Sequence, residues 1–414
     1  MVFIMLPRRP ALVRSLDRRV RLARAARVAS ALTWLALVPM PATAQQSLGD
    51  TLSFLLTNRS ISTDEFVQDE QVAAATRDTI SESLLNGLST LPIGSSTSGF
   101  TYRVEPGLGG IVQRSSSSFG SFFTERSLTV GRQRGSFGFA YQHASFNMLD
   151  GQSLTDGTLV ATASTLIGET EPFDVETLTL RMRMDSVTVT GTYGVSDRLD
   201  IGAALPLVSL RIDGERVDIY RNRRLLQASA TATASGIGDL ALRVKYNLIR
   251  APGGGLAIGA EARLPTGDEE NLLGSGETSL EPRIIWSVER GRLAIDTDFG
   301  YSFGGLSGQL GYGAAFTYIG LPRLMLVGEL SGAWIDSVGH LTQTTSLHPR
   351  LVGVRTIRLS AADGSSGRLL AVAGVKWNPT ATWLVSGSLL RRLTTDGLTA
   401  SWVPTLALEY AFGG

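Results

Sequence analysis

The chain has 414 residues, no cysteine and three histidines, which excludes disulfides, thiolate metal sites and a cysteine nucleophile. Its formal net charge of +1 joins two unlike parts: residues 1–44 hold eight of the 38 basic residues and one of the 37 acidic ones, leaving 30 against 36 over residues 45–414. A mildly acidic body without a basic surface argues against a nucleic-acid partner.

Residues 1–44 read as a secretory signal peptide. An arginine-rich stretch precedes an apolar run from Val28 to Met40, and Ala42-Thr43-Ala44 supplies small residues for cleavage, leaving Gln45 as the new terminus. The run is too short to anchor, because thirteen helical positions from Val28 to Met40 span only about 20 Å against a bilayer core of about 30 Å. No later segment carries the ~18 uninterrupted apolar residues of a membrane helix.

Residues 45–125 read as an N-terminal plug or periplasmic segment with one amphipathic helix. Ser62 to Glu65 fits a capping box, and Phe66, Ala73, Ile80, Leu84, Leu88 and Leu91 form one stripe that Pro92 and Gly94 end. Such a stripe must be buried, either in a lumen or at a barrel mouth. The Gly- and Ser-rich residues 99–125 read as a hairpin or loop.

From 126 onward the chain is a train of alternating segments: Ser127–Gly131, Ser136–Met148, Thr177–Val195, Leu199–Ile212, Gly236–Leu248, Gly255–Leu264, Ser279–Val288, Leu293–Phe303, Gln309–Ile319, Leu324–Trp334, Leu369–Trp377, Thr382–Leu390 and Ser401–Phe412. Period two means strands with unlike faces, and the lengths suit tilted membrane strands of about 9–11 residues. Connections alternate between short turns such as 196–198 and 320–323 and longer ones at 213–235, 265–278, 304–308, 335–368 and 391–400, of which only 304–308 breaks the length rule. That is the rim asymmetry of an outer-membrane barrel. Tyr193, Tyr246, Trp286, Tyr318, Trp377 and Tyr410 sit beside the short turns, as an interfacial girdle would. Tyr193 shares parity with Arg181 and Arg183 and so fits the girdle only if a bulge shifts the phase.

The other face carries charge of both signs. Arg181, Arg183 and Asp185 begin it, Asp239 follows, and the lumen-facing candidates are Arg243, Lys245, Glu261, Arg263, Glu281, Arg283, Asp296, Asp298, Glu329, Lys376 and Glu409. Mixed signs point to paired networks more than to a one-sign selectivity ring. The fold expected is therefore all-β: an antiparallel transmembrane barrel of twelve strands if Ser127–Gly131 is not one, or fourteen if a segment of 99–117 joins. Thr405 to Phe412, alternating and aromatic-ended, resembles the terminal signal read by the barrel-assembly machinery, and the location implied is the bacterial outer membrane, with its lipids as partners.

Gly236-Ile237-Gly238-Asp239-Leu240, Lys245-Tyr246 and Arg263-Leu264-Pro265-Thr266-Gly267-Asp268 resemble a family of outer-membrane transporters named for members encoded with phenol meta-cleavage pathways. The resemblance covers roughly residues 170–414 and implies a barrel that passes or binds hydrophobic, often aromatic, small molecules. Asp268, Glu269 and Glu270 lie in the loop that follows, as a cation or substrate site at the mouth or as solvated loop acids.

No phosphate loop, dinucleotide fingerprint or zinc spacing is present, and no cofactor, metal or catalytic residue is expected. Two alternatives stand beside the channel reading. One is a lipid hydrolase: His143 and Ser145 lie two apart on one strand face, and a His-x-Ser pair near the outer rim resembles outer-membrane phospholipase A and the lipid A deacylases. The Asn-Gly after the serine in those enzymes is missing here. The other is a structural barrel that displays loops 213–235 and 335–368.

Overall fold

The computed structural model describes residues 47–56, 78–87 apart from 79, 83 and 86, 94–95, 99–105, 111–348 and 351–413. It begins with α1 (Leu48–Leu56) and the hairpin β1 (Tyr102–Glu105) and β2 (Ile111–Arg114). There follow β3 (Gly135–Leu149), β4 (Gln152–Ser153), β5 (Leu159–Leu166), β6 (Asp174–Gly194), β7 (Leu199–Tyr220), β8 (Arg223–Ile237), β9 (Leu240–Ala251) and β10 (Gly254–Leu264). Then come β11 (Ser279–Arg290), β12 (Leu293–Gly304), β13 (Gln309–Leu321), β14 (Leu324–Leu347), β15 (Val354–Thr380), β16 (Trp383–Arg392), β17 (Leu398–Ala400) and β18 (Val403–Phe412).

Twelve of these strands close an antiparallel barrel: β3, β6, β7, the run from β9 to β16, and β18, which pairs back on β3 with Leu408 opposite Phe139. Closure satisfies the backbone of every wall strand and leaves no edge. Ser127–Gly131 is not a strand, so of the two expected counts twelve is observed.

The outward face is apolar in a continuous band. Leu242, Phe299 and Leu408 are 42%, 52% and 40% exposed, whereas on the opposite face Lys245, Asp296 and Asp298 are buried and Arg243 and Glu409 half-buried. In water this arrangement would be unstable. In lipid each such side chain instead contributes roughly 1.5–3 kcal/mol. Tyr193, Tyr246, Trp286, Tyr318, Trp377 and Tyr410 all point outward beside the short turns, as a headgroup girdle requires. No helix among the described residues is long and apolar enough to cross a membrane.

Tyr193 needs no bulge. The β6–β7 register runs without a shift from Asp174↔Tyr220 to Gly194↔Asp200. The error lay in the meaning of the face. Arg181, Arg183 and Asp185 point outward with Tyr193, while Leu178, Leu180, Met182 and Met184 are buried inside. Below Ser186 the strand is oily outside and polar inside; above it the sense reverses. The outer tier of the barrel thus has an ordinary aqueous exterior and an oily core, as a soluble protein has.

The long connections expected as loops are largely strand. Residues 213–235 complete the β7–β8 hairpin, whose turn residues Arg221 and Asn222 take positive φ of 47° and 66°, the two-residue turn that matches strand twist. Residues 335–368 extend β14 and β15, paired to Leu347↔Arg355. β5 pairs with the outer ends of both β6 and β15, which β16, β18 and β3 separate within the barrel.

The N-terminal segment is two-part. α1 is capped by Ser47, whose Oγ accepts the Asp50 amide at 2.9 Å, and it buries Leu48, Leu52 and Leu55. This helix was not expected, because nine residues are too few to show a stripe. The described residues among 78–87 are helical, with Ile80 and Leu84 of the expected stripe buried. Ser62, Glu65, Phe66, Ala73, Leu88 and Leu91 lie outside the described residues. Both helical pieces share one apolar cluster with Leu180, Met182, Leu210, Ile212, Leu359 and Leu398, the oily core of the outer tier.

Candidate functional site

Below that core the bore is polar, and a stretch of chain lies across it. Residues 99–105 and 111–130 meet the wall strand by strand. The Gly99 amide donates to both oxygens of Glu409 on β18 at 3.2 Å. Lys376 on β15 donates to the carbonyls of Phe119 and Ser121, and its ammonium sits 5.0 Å from the Phe122 ring centroid. Glu329 on β14 accepts the amides of Phe122, Phe123 and Thr124 and the Thr124 hydroxyl. Asp298 on β12 accepts the Glu125 amide at 2.6 Å. Lys245 and Asn247 on β9 donate to the carbonyls of Arg126 and Ser127, and Asp200 on β7 accepts the Val130 amide at 3.0 Å.

The physical logic is exchange. A non-regular segment carries unpaired backbone groups, which are costly to bury. Wall carboxylates and ammonium groups are costly to bury for the same reason. Each supplies what the other lacks. Three consecutive amides on Glu329 form an anion nest, with the charge-assisted bonds of greater strength than neutral ones. Arg126, 2% exposed, is the cation at the middle of the segment; burial pushes its guanidinium pKa down, and Asp296, Glu289 and Glu409 oppose that.

The remaining candidates pair along the wall. Glu261 binds Arg243 at 2.7 Å and Arg263 at 2.8 Å, and Arg283 binds Glu281 at 2.9 Å and Asp298 at 3.3 Å. Arg243 also donates to the Gly94 carbonyl at 2.8 Å. These ion pairs, with Arg368, border a cavity of about 150 Å³. Arg368, Asp200, Asn247 and Arg126 were not singled out from sequence. Asp200 and Asn247 were legible by parity, since Ile201 and Tyr246 beside them face outward; Arg126 had no periodic signal at all.

Two of the three pieces of sequence that carry the family resemblance, 236–240 and 263–268, meet at the outer end of β9. Asp239 accepts the Gly267 amide at 3.1 Å and both the amide and hydroxyl of Ser275 at 2.8 Å. Thr266 Oγ1 donates to the Gly238 carbonyl and accepts the Leu240 amide. A Cβ on Gly267 would stand 2.6 Å from the Gly274 Cα, so only glycine fits. Asp268 caps its own turn through Asn271, and Glu270 receives the Gly49 amide on its carbonyl. No group of three metal-ligating side chains occurs among the described residues.

His143 does have a carboxylate partner: Asp185 on β6 lies 2.8 Å from Nδ1 and also accepts the Tyr141 hydroxyl at 2.6 Å. Ser145 makes no hydrogen bond to His143 among the described residues.

A closed twelve-stranded wall, an outward apolar band bounded by an aromatic girdle, and a charged bore define an outer-membrane β-barrel. Within that class, residues 155–322 are similar to the family described as "Putative MetA-pathway of phenol degradation". No curated protein matches the chain. Among solved structures it is similar to an outer membrane channel from Pseudomonas putida F1, at 17% identity and TM-score 0.43, over 68% of this chain and 96% of that one. It is also similar to a Pseudomonas aeruginosa FadL homologue (9%, TM-score 0.34, 68% and 90%) and to the P. putida toluene transporter TodX (10%, TM-score 0.33, 68% and 90%).

Proposed function

We propose that the protein is a passive outer-membrane channel or transporter for small hydrophobic molecules, with residues 45–125 as its plug. The observation that carries this is the run of bonds from Glu409 through Lys376, Glu329, Asp298 and Lys245 to Asp200, which holds Gly99 and residues 119–130 across the bore. A wall built only for stability has no use for a charged bore, because well-packed apolar residues do as well or better. A wall that must release a segment does: charge-assisted bonds can be exchanged for water. The family description, with its phenol pathway, points to aromatic molecules as the cargo. The same reading has residues 1–44 removed on export and the strand Thr405–Phe412 read by the barrel-assembly machinery before β18 closes on β3.

The test is conductance and uptake by refolded protein in planar bilayers and liposomes, with and without residues 46–125. Opening on deletion supports the plug. Identical closed behaviour of both forms, with no uptake of a small aromatic, rejects transport.

One observation favours a second reading, interfacial lipid hydrolysis: the Asp185 carboxylate on His143 Nδ1 would orient the ring toward a nucleophile. Ser145→Ala abolishes any lipase or deacylase activity under that reading. Absence of activity in the wild-type protein ends it.

A further inference from the structure

The reversal of β6 leaves a feature that transport does not use. The outward apolar band ends on one cross-strand row, Tyr141↔Val187↔Leu207↔Ile237, running over β3, β6, β7 and β8. Two outward rows above it stands Ser145↔Arg183↔Arg211↔Thr233. Arg183 and Arg211 are therefore direct partners on one sheet face, and both are exposed.

Like charges set opposite one another destabilise a sheet. Arg211 is partly neutralised by a two-point bond to Asp213 on its own strand, at 2.9 and 3.0 Å. Arg183 makes no hydrogen bond or ion pair among the described residues, and Arg181 in the next row makes none either. Of the carboxylates nearby, Asp185 is bonded by Tyr141 and His143, while Asp213, the cross-strand partner of Arg181, is bonded by Arg211 and Thr231 and offsets part of the charge of Arg183 without a direct bond. Arg181, Arg183 and Arg211 thus face two acids, Asp185 and Asp213. The patch keeps an excess of cation and free guanidinium donors.

Its height is the second argument. From Tyr193 in the girdle to Arg183 is ten residues of one uninterrupted strand. At about 3.3 Å per residue and a tilt near 40°, that is about 25 Å, the height of the apolar band of an outer-membrane barrel. The arginine pair thus stands at the headgroup level of the outer leaflet, about 10 Å above the last apolar row and separated from it by the polar row His143↔Asp185↔Ser209.

We propose that this face is a binding site for a phosphate-bearing lipid of the outer leaflet, a lipid A phosphate. The phosphate lies between the guanidinium groups of Arg183 and Arg211, with Ser145 as a further donor, and the acyl chains lie down over Tyr141, Val187 and Leu207. Guanidinium forks match phosphate geometry, and the bound anion removes the repulsion between the arginines. The site is independent of what the bore carries.

The experiment uses the full-length protein purified in detergent, titrated with diphosphorylated lipid A, with the same lipid after phosphatase treatment, and with inorganic phosphate alone, binding being read by native mass spectrometry. The wild-type protein is expected to bind the phosphorylated lipid, to bind the dephosphorylated lipid about tenfold more weakly, the worth of one charge-assisted bond, and to ignore inorganic phosphate. Arg183→Gln and Arg211→Gln are expected to weaken the phosphorylated lipid by a similar factor and to leave the dephosphorylated lipid unchanged; Arg183→Lys keeps part of the affinity. Folding of each variant is checked by its gel shift on heating. Equal affinity of wild type and both glutamine variants overturns the proposal, as does equal affinity for the two lipids. Saturation by inorganic phosphate at the same concentration also overturns it, since the lipid is then not the ligand.

Discussion

The Asp239 carboxylate holds the Gly267 amide at 3.1 Å across the break between β8 and β9. That single contact joins two stretches that are separate in sequence and that both carry the family resemblance. Their joint purpose is local: β7 pairs with β8 above and β9 below, and the loop 265–278 is pinned where the ladder changes partner. Replacing Asp239 by Ala leaves the Gly267 and Ser275 amides without their acceptor, while the Ser275 hydroxyl keeps the Glu277 carbonyl. Each unsatisfied group costs about 1–3 kcal/mol. We expect faster proteolysis within 265–278 and a lower midpoint for heat unfolding, with Asp239→Asn intermediate.

Glu329 is the strongest hold on the segment across the bore, since it takes three amides and a hydroxyl. Glu329→Ala should raise single-channel conductance in planar bilayers and speed hydrogen exchange at Phe122 to Thr124. The barrel itself stays intact, because β14 keeps its ladder with β13 and β15.

α1 is held by apolar packing and by Arg216, which donates to the Leu55 carbonyl at 3.2 Å at the helix C-terminus. Leu52 is fully buried. Leu52→Ala costs about 2–5 kcal/mol of docking, and Leu52→Asp costs more, because a buried unpaired carboxylate is worse than a cavity. Protease digestion should then release residues 48–56 while the gel shift of the barrel is unchanged.

Docking of residues 78–87 should depend on pH through Glu82. Burial raises its carboxyl pKa above the usual 4.5, with Asp363 adding to the shift and a bond from the Gly339 backbone opposing it. The undocked form therefore ionises first as pH rises. Docking is strongest below about 4.5 and weakens as pH climbs through the raised value. Hydrogen-exchange protection of this segment, taken relative to the intrinsic rate at each pH, should be greater at pH 4 than at pH 7, and Glu82→Gln should remove the difference.

Leu242 sits on the lipid face of β9, four residues along from Tyr246 of the girdle. Leu242→Arg should cost about 2–4 kcal/mol if it lies near the bilayer midplane, measured by urea titration of folding into lipid vesicles. Arg181→Leu, on the same outward side but above the band, should change the same midpoint by much less.

The period of two, the rim asymmetry and the ring of aromatics were all readable from the chain alone, and they sufficed for a membrane barrel with a charged bore. They are local signals, because alternation is a property of a strand and not of its neighbours. Parity, though, says only that two faces differ, not which solvent each one meets. Leu178 to Met184 and Val187 to Tyr193 alternate alike, yet the first set is oily inside and the second oily outside, and only the closed barrel shows the crossing at Ser186. The same holds for the segment across the bore. Glu329 and Thr124 are 205 residues apart, and no pattern along the chain links them. Their meeting follows from ring closure, which brings six wall strands round a single stretch of backbone that needs its amides and carbonyls paired.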